Sequence, residues 1–157
     1  AVCEYVEEFK PNPSLLGHKP EERAEVRRLV AWFDEKFERE VTRPLVGEKM
    51  HKRLAGVGNP DSRFLRAGHA NIATHLAYVG WLTEQRDWLA GPSLSLADIA
   101  AASHLSCVDY VGAVPWDDHP AAREWYARIK SRPGFRPLLE DRVPGIAPPD
   151  HYPDPDF

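Results

Sequence analysis

One tryptophan and three basic side chains recur at helical spacing in the first third of the chain. Their spacing of i, i+4, i+7 and i+11 places them on one helical face, and three more basic residues, Lys49, Lys52 and Arg53, follow further along. An ordinary solvated helix face has this composition. The alternative is a positive groove for an anionic ligand or an acidic peptide, with a tryptophan as its apolar anchor. The four candidate residues are Trp32, Lys36, Arg39 and Arg43.

The C-terminal end combines acidic and aromatic residues in a proline-rich context. A frayed end is one interpretation of such a segment. The other is a docking segment, in which Tyr152 and Phe157 anchor a partner while Asp154 and Asp156 steer it. The sequence leaves both interpretations open.

Side chains that perform catalysis are harder to find. The seven histidines form no HxxxH or HExxH pair, so we expect no metal site. His104 lies near Ser103 and Ser106, but serine and histidine on one apolar helix are usually satisfied core groups. A glycine-rich phosphate loop is also lacking. The sequence therefore offers no catalytic residue.

The net charge, apolar runs and cysteines of the chain argue against some classes of partner. The net charge of -4 and the isoelectric point near 6.0 provide no general attraction to nucleic acid or to anionic membranes. We expect no nucleic-acid partner and no membrane insertion, because no apolar run has the length of a span. Cys3 and Cys107 are far apart among apolar neighbours, which favours buried free thiols in the cytoplasm.

Only helical periodicity persists along the chain, so the predicted fold class is all-α. Pro44 should break or kink the first long helix, and a proline-rich extended tail should follow Asp141. Gly68 should allow another helix to approach closely. The predicted helices cover residues 1–9, 20–43, 45–54, 61–88, 94–111, 120–130 and 136–141.

Two helix beginnings carry further information. Ser95 and Asp98 have the spacing of a capping box, a structural N-cap in which each side chain bonds the other residue's amide. The first helix carries an apolar stripe that needs a cover, which predicts that sequence precedes Ala1. The stripe consists of Val2, Tyr5, Val6 and Phe9.

The motif Trp88-Leu89-Ala90-Gly91, followed by residues 94–99 (Leu-Ser-Leu-Ala-Asp-Ile), resembles the start of the central helix in glutathione S-transferase C-terminal domains. Pro120, Trp125 and Arg132-Pro133 are similar to the family's next helix and turn. The resemblance implies a C-terminal-type helical bundle with the tail of a missing thioredoxin-like domain. It divides the chain into a last helix of that domain (1–9), a linker (10–19), the helical domain (20–141) and the tail (142–157).

A narrower resemblance is to the FtsZ-localised, glutathione-transferase-like division proteins of bacteria. It rests on four segments, and it implies an FtsZ-binding regulator of cell division that pairs as a homodimer. The segments are residues 61–64 (Asp-Ser-Arg-Phe), 109–116 (Asp-Tyr-Val-Gly-Ala-Val-Pro-Trp), 125–133 (Trp-Tyr-Ala-Arg-Ile-Lys-Ser-Arg-Pro) and 151–157.

The wider resemblance also says where transferase chemistry would reside. In glutathione transferases the thiol-activating residue and the glutathione-binding groups belong to the thioredoxin-like domain. This chain therefore implies no catalytic residue and no cofactor of its own, and glutathione would bind only through the missing domain. The alternatives are an active transferase that conjugates small electrophiles, or a helical interaction module of a larger complex.

Overall fold

The computed structural model describes residues 2–10 and 12–155, and within them every regular element is helical. The only β-type pairings in these ranges are two isolated bridges, Trp88 with Gly91 and Val143 with Ile146. The all-α prediction is confirmed. The helices are α1 (Val2–Phe9), α2 (residues 20–55), α3 (Ser62–Gln85), α4 (Leu96–Tyr110), α5 (Pro120–Lys130) and α6 (Arg136–Glu140), with a 3₁₀ turn at Trp116–Asp118.

The core lies where α2, α3 and α4 pack against one another, and α5 covers α3. Phe33, Phe37, Ile72 and Leu105 are among its fully buried side chains. As predicted, Gly68 lies at a close approach: a Cβ there would stand 2.7 Å from Leu45 Cγ. A methyl group at residue 68 would therefore collide with α2.

The predicted break at Pro44 does not occur. Residues flanking the changes of helical type keep right-handed helical angles, and α2 runs without interruption until Gly56 ends it at φ 66°. A π-helical stretch, Trp32–Thr42, precedes the proline. In the π-helical register an amide bonds the carbonyl five residues earlier, as Arg43 bonds Glu38, so the N–H that proline lacks would face the carbonyl of residue 39. The Asn71 side chain of α3 donates to the next carbonyl, that of Glu40, at 3.0 Å.

Helix α1 is held to the domain by its acidic residues. Glu4 makes a bidentate pair with Arg27 of α2 at 2.7 Å. Glu7 is buried and accepts bonds from Ser14 and from the Leu15 amide in the linker. The predicted stripe, by contrast, is exposed among the described residues. The exposed fractions are 76% for Val2, 68% for Tyr5, 55% for Val6 and 80% for Phe9.

Two further expectations need correction. Cys3 and Cys107 are free thiols, but both are exposed rather than buried. Cys107 lies on the outward face of α4, four residues after exposed Ser103. Helix α3 ends at Gln85 rather than at residue 88, because Arg86 adopts an extended conformation. None of the helices in the described ranges combines the length and apolar character of a membrane span.

The tail is not simply extended. Residues 142–155 contain no helix, but they fold back through turns and pack on the bundle. Tyr152 is only 3% exposed and forms a second small core with Tyr110 and Leu139. Proline limits regular structure in this segment, whereas the buried tyrosine determines where it lies.

Candidate functional site

Trp32 lies partly inside the bundle. Its indole donates to His75 Nδ1 at 3.1 Å, and its ring contacts Tyr78 at a centroid distance of 4.9 Å. The Lys36 ammonium stands over the same ring at 5.4 Å. The tryptophan therefore anchors α2 to α3, and only part of it is available to a partner.

Each basic residue of the predicted stripe has an acidic neighbour. Lys36 Nζ lies 2.5 Å from Glu40, and Arg39 lies 3.7 Å from the same carboxylate. Arg43 pairs with Glu38 at 3.0 Å. The stripe is thus a mixed-charge surface rather than a positive groove. Its outermost cations are Arg39 and Arg43, whose side chains are 65% and 70% exposed.

A chain of hydrogen-bonded polar side chains lies beneath this stripe, and the spacing of its residues does not predict it. His75 is 2% exposed, and its Nε2 lies 3.1 Å from the Glu40 carboxylate. Burial lowers the pKa of His75, although Glu40 opposes that shift. The neutral ring accepts from Trp32 at Nδ1 and donates to Glu40 at Nε2. These partners come from separate helices, so only the folded chain brings them together.

The basic residues after Pro44 have structural contacts. Lys49 donates to the Val111 carbonyl at 3.1 Å, at the C-terminal end of α4. Burial lowers the pKa of Lys49. Lys52 pairs with Glu48 at 2.6 Å, and Glu48 also accepts from the Asp61 amide. Lys49 therefore connects α2 to the end of α4, Glu48 connects it to the start of α3, and Arg53 is exposed.

Both hydrogen bonds of a capping box are present at the start of α4. The Ser95 amide donates to Asp98 Oδ2 at 3.0 Å. The other oxygen of this fully buried carboxylate accepts from the Leu89 amide at 2.9 Å and from Trp125 Nε1 at 3.0 Å. Asp98 thus joins α4, α5 and the loop before α4, which is a structural role.

The structure separates the candidate residues of the tail. Tyr152 donates to or accepts from Ser106 Oγ at 2.9 Å, and its ring meets Tyr110 edge-on at 5.1 Å. As a correction, Tyr152 anchors the tail to its own bundle, because its side chain is buried. Asp154 is exposed. Asp156 and Phe157 lie outside the described residues.

His151 is held by two buried charged residues that sequence reasoning did not single out. Its Nε2 lies 2.8 Å from Asp109 Oδ1, which also accepts from Trp116 Nε1 at 2.8 Å. Lys130 donates from Nζ to the His151 carbonyl at 3.0 Å. Asp109 and Lys130 are both fully buried. Asp109 and Lys130 each follow a core residue, Leu105 and Tyr126, by four positions. A charged residue at a core position of the helical period is the signal that could have indicated them.

Comparison with known proteins shows the family to which the chain belongs. The family described as glutathione S-transferase, C-terminal domain, matches residues 72–133. FtsZ-localized protein A of Caulobacter vibrioides is 55% identical over 157 residues, which is 100% of this chain and 69% of that protein. The chain belongs to the glutathione-transferase-like family of FtsZ-localized protein A.

Solved structures of similar proteins have the same fold as this chain. FzlA from C. crescentus superposes with a TM-score of 0.97 at 55% identity, covering 100% of this chain and 70% of FzlA. A glutathione S-transferase from Rhodospirillum rubrum F11 superposes with a TM-score of 0.98 at 62% identity, over 100% of this chain and 71% of that one. The whole described bundle, including α1 and the seated tail, is therefore a family feature.

Proposed function

We propose that the protein acts mainly by binding FtsZ filaments as a regulator of bacterial cell division in the cytoplasm. The observation that carries this proposal is the 55% identity with FtsZ-localized protein A over the full length of the chain. The described residues also suit a binding role, because the buried polar groups of the bundle join helices to one another.

Two exposed features are the proposed contact surface. The first is the outer edge of α2 at Arg39 and Arg43, with Trp32 and Lys36 beside it. The second is the tail from Asp154 onward, where acidic residues can steer association and Phe157 can anchor it. Exposed charges at these places add little to stability, so their replacement should leave the fold intact.

Co-sedimentation with FtsZ filaments tests the proposal. Arg39→Glu, Arg43→Glu and removal of residues 154–157 should each lower the fraction that pellets with filaments. Lys10→Glu, at an exposed position after α1, is the matched charge-reversal control. Salt should weaken binding as well, because exposed charges are screened over about 10 Å at 0.1 M. Unchanged pelleting of all three variants would contradict the proposed surface.

The second candidate function is glutathione conjugation. It is favoured by the 62% identity with a glutathione S-transferase from Rhodospirillum rubrum. In that case glutathione would bind through a thioredoxin-like domain, and the helical domain would form one wall of the electrophile pocket. If the Arg39 and Arg43 variants lose conjugation activity in the intact protein but keep filament binding, these arginines belong to a substrate pocket instead.

The homodimer is also a proposal, supported by an exposed face of α3. This face has small side chains that allow close helix packing, next to Trp81, which is 52% exposed. The small residues are Ala67, Ala70, Thr74 and Ala77. Sedimentation equilibrium should show a dimer that Ala70→Glu dissociates, whereas Ala24→Glu, at an exposed position of α2, should leave it unchanged.

A further inference from the structure

One face of α4 is committed to holding the C-terminal segment. Ser106, Asp109 and Tyr110 lie at i, i+3 and i+4, and each bonds a residue beyond α6. Tyr110 donates to the Ile146 carbonyl and accepts from the Val143 amide, both at 2.8 Å. The segment is thereby fixed along its length, from Val143 to Tyr152.

The contacts at His151 are of a different kind, because they use buried charge. Asp109 is fully buried, and its Oδ2 has no hydrogen-bond partner within residues 2–10 and 12–155. Lys130 is fully buried too, and burial lowers its pKa to about 8 while the negative charge of Asp109 opposes that shift. A protein with apolar residues of similar volume at such buried positions is often at least as stable as one with charged residues. A requirement for one specific arrangement of the chain therefore explains buried Asp109 and Lys130 better than a gain in stability does.

We propose that Asp109 and Lys130 are positioning residues, which hold the tail in one register and so present Asp154 and the residues after it to the filament partner. His151 is bound at both its ring and its carbonyl, by α4 and α5 respectively. Tyr152 then fills the small core beside it. The chain is thereby fixed two residues before exposed Asp154.

The physical gain is preorganisation. A loose tail must lose backbone freedom when it binds a partner, and that loss of conformational entropy opposes binding. A seated tail has already lost that freedom in the free protein, so binding is tighter for the same contacts. This inference rests on the proposed function, since it assumes that the tail touches the filament.

The test measures tail order and filament binding separately in the intact protein. Lys130→Met removes the buried charge and donor at similar volume, and His151→Ala removes the ring from the tail side without altering the bundle. Lys10→Met, at an exposed lysine, is the control. Hydrogen exchange should accelerate about tenfold at the Tyr152 and Asp154 amides in both variants, the factor expected for one lost hydrogen bond. Filament affinity should fall several-fold.

A double-mutant cycle separates positioning from general stability. Once residues 154–157 are removed, Lys130→Met should cause no further loss of filament binding, whereas a merely structural role would add to the deletion. Unchanged amide exchange in both variants would show that Lys130 and His151 do not hold the tail in place. Faster exchange with undiminished filament binding overturns the positioning role. If the parent protein itself does not bind filaments, the proposed function fails, while the exchange measurement still decides whether the seat holds the tail.

Discussion

Glu25 is the acidic residue that joins α2 to the loop before α4. It pairs with Arg28 at 2.8 Å and with Arg86 at 2.7 Å, and Arg86 also donates to the Leu89 carbonyl. Hydrogen bonding to Arg28 lowers the pKa of Glu25 to about 2, with Arg86 contributing. A carboxylate held in this way stabilises the fold only while it is ionised.

We therefore expect Glu25→Gln to lower the free energy of unfolding at pH 7 by about 1–2 kcal/mol, after allowance for partial exposure. The folded pKa lies below the ordinary value of 4.5, so the stabilisation is present above pH 4.5 and disappears as pH falls toward 2. Denaturant unfolding of parent and variant should converge over that range. Glu21→Gln, at an exposed site of the same helix, should show no such convergence.

Lys130 should also make stability rise with pH, but in the alkaline range. Its folded pKa of about 8 lies below the ordinary 10.5, so between these values the unfolded chain binds more protons than the folded one. Stability should consequently rise by about 1–2 kcal/mol from pH 8 to pH 9.5. Lys130→Met should remove this rise when unfolding is measured across that range. A rise of equal size in the variant would show that another group causes it.

Single residues differ in how visible they are to sequence reasoning. Ser95 and Asp98 are three positions apart, so their capping box depends only on local backbone geometry. Trp32 and His75 meet across two helices, and Asp109 and Lys130 bond the same residue, His151, from two others. Nothing in the spacing of those residues predicts these contacts, because they depend on the rotation and packing of whole helices. The basic stripe is visible in the sequence as a helical face, but the pairing of its cations with carboxylates is a property of the folded chain.

At the level of elements, the start of α4 is expected to control much of the stability. Ser95→Ala should cost about 1 kcal/mol, as for other N-caps. Asp98→Ala should cost more, about 2–4 kcal/mol, because it leaves Leu89 N and Trp125 Nε1 buried without an acceptor. The double variant should lose less than the sum, since both residues share one cap. Chemical denaturation of the three variants measures this, and strict additivity would contradict a shared cap.

The long helix α2 is also joined to α3 by a side chain near its middle. Asn71→Ala should leave the Glu40 carbonyl without the Asn71 amide and cost about 1–2 kcal/mol. Chemical denaturation of the parent and the variant measures this loss. An unchanged free energy of unfolding would mean that the bond from Asn71 to α2 does not stabilise the fold.

For the molecule as a whole, the helical bundle and the order of its elements followed from periodicity, because each long helix buries one regular stripe. The exceptions have identifiable causes. The prediction that Pro44 breaks α2 is wrong, because the helix continues through the proline with a change from π-helical to α-helical backbone. The tail was expected to be extended, yet a single buried tyrosine and two buried charges seat it. The stripe of α1 is exposed, so its cover is not provided by the described part of the chain.

The last prediction concerns catalysis by this chain on its own. Conjugation of glutathione to an aryl halide needs a group that lowers the pKa of the glutathione thiol or orients it. The buried polar side chains described above make contacts within the bundle. Asp98 belongs to a helix cap, His75 bonds Trp32 and Glu40, and Asp109 bonds Trp116 and His151. The isolated chain should therefore show no turnover above a denatured control. Addition of a thioredoxin-like domain that carries a thiol-activating residue is the condition under which activity is expected. Turnover by the chain alone would show that it holds a thiol-activating group, and the assignment of that chemistry to another domain would be wrong.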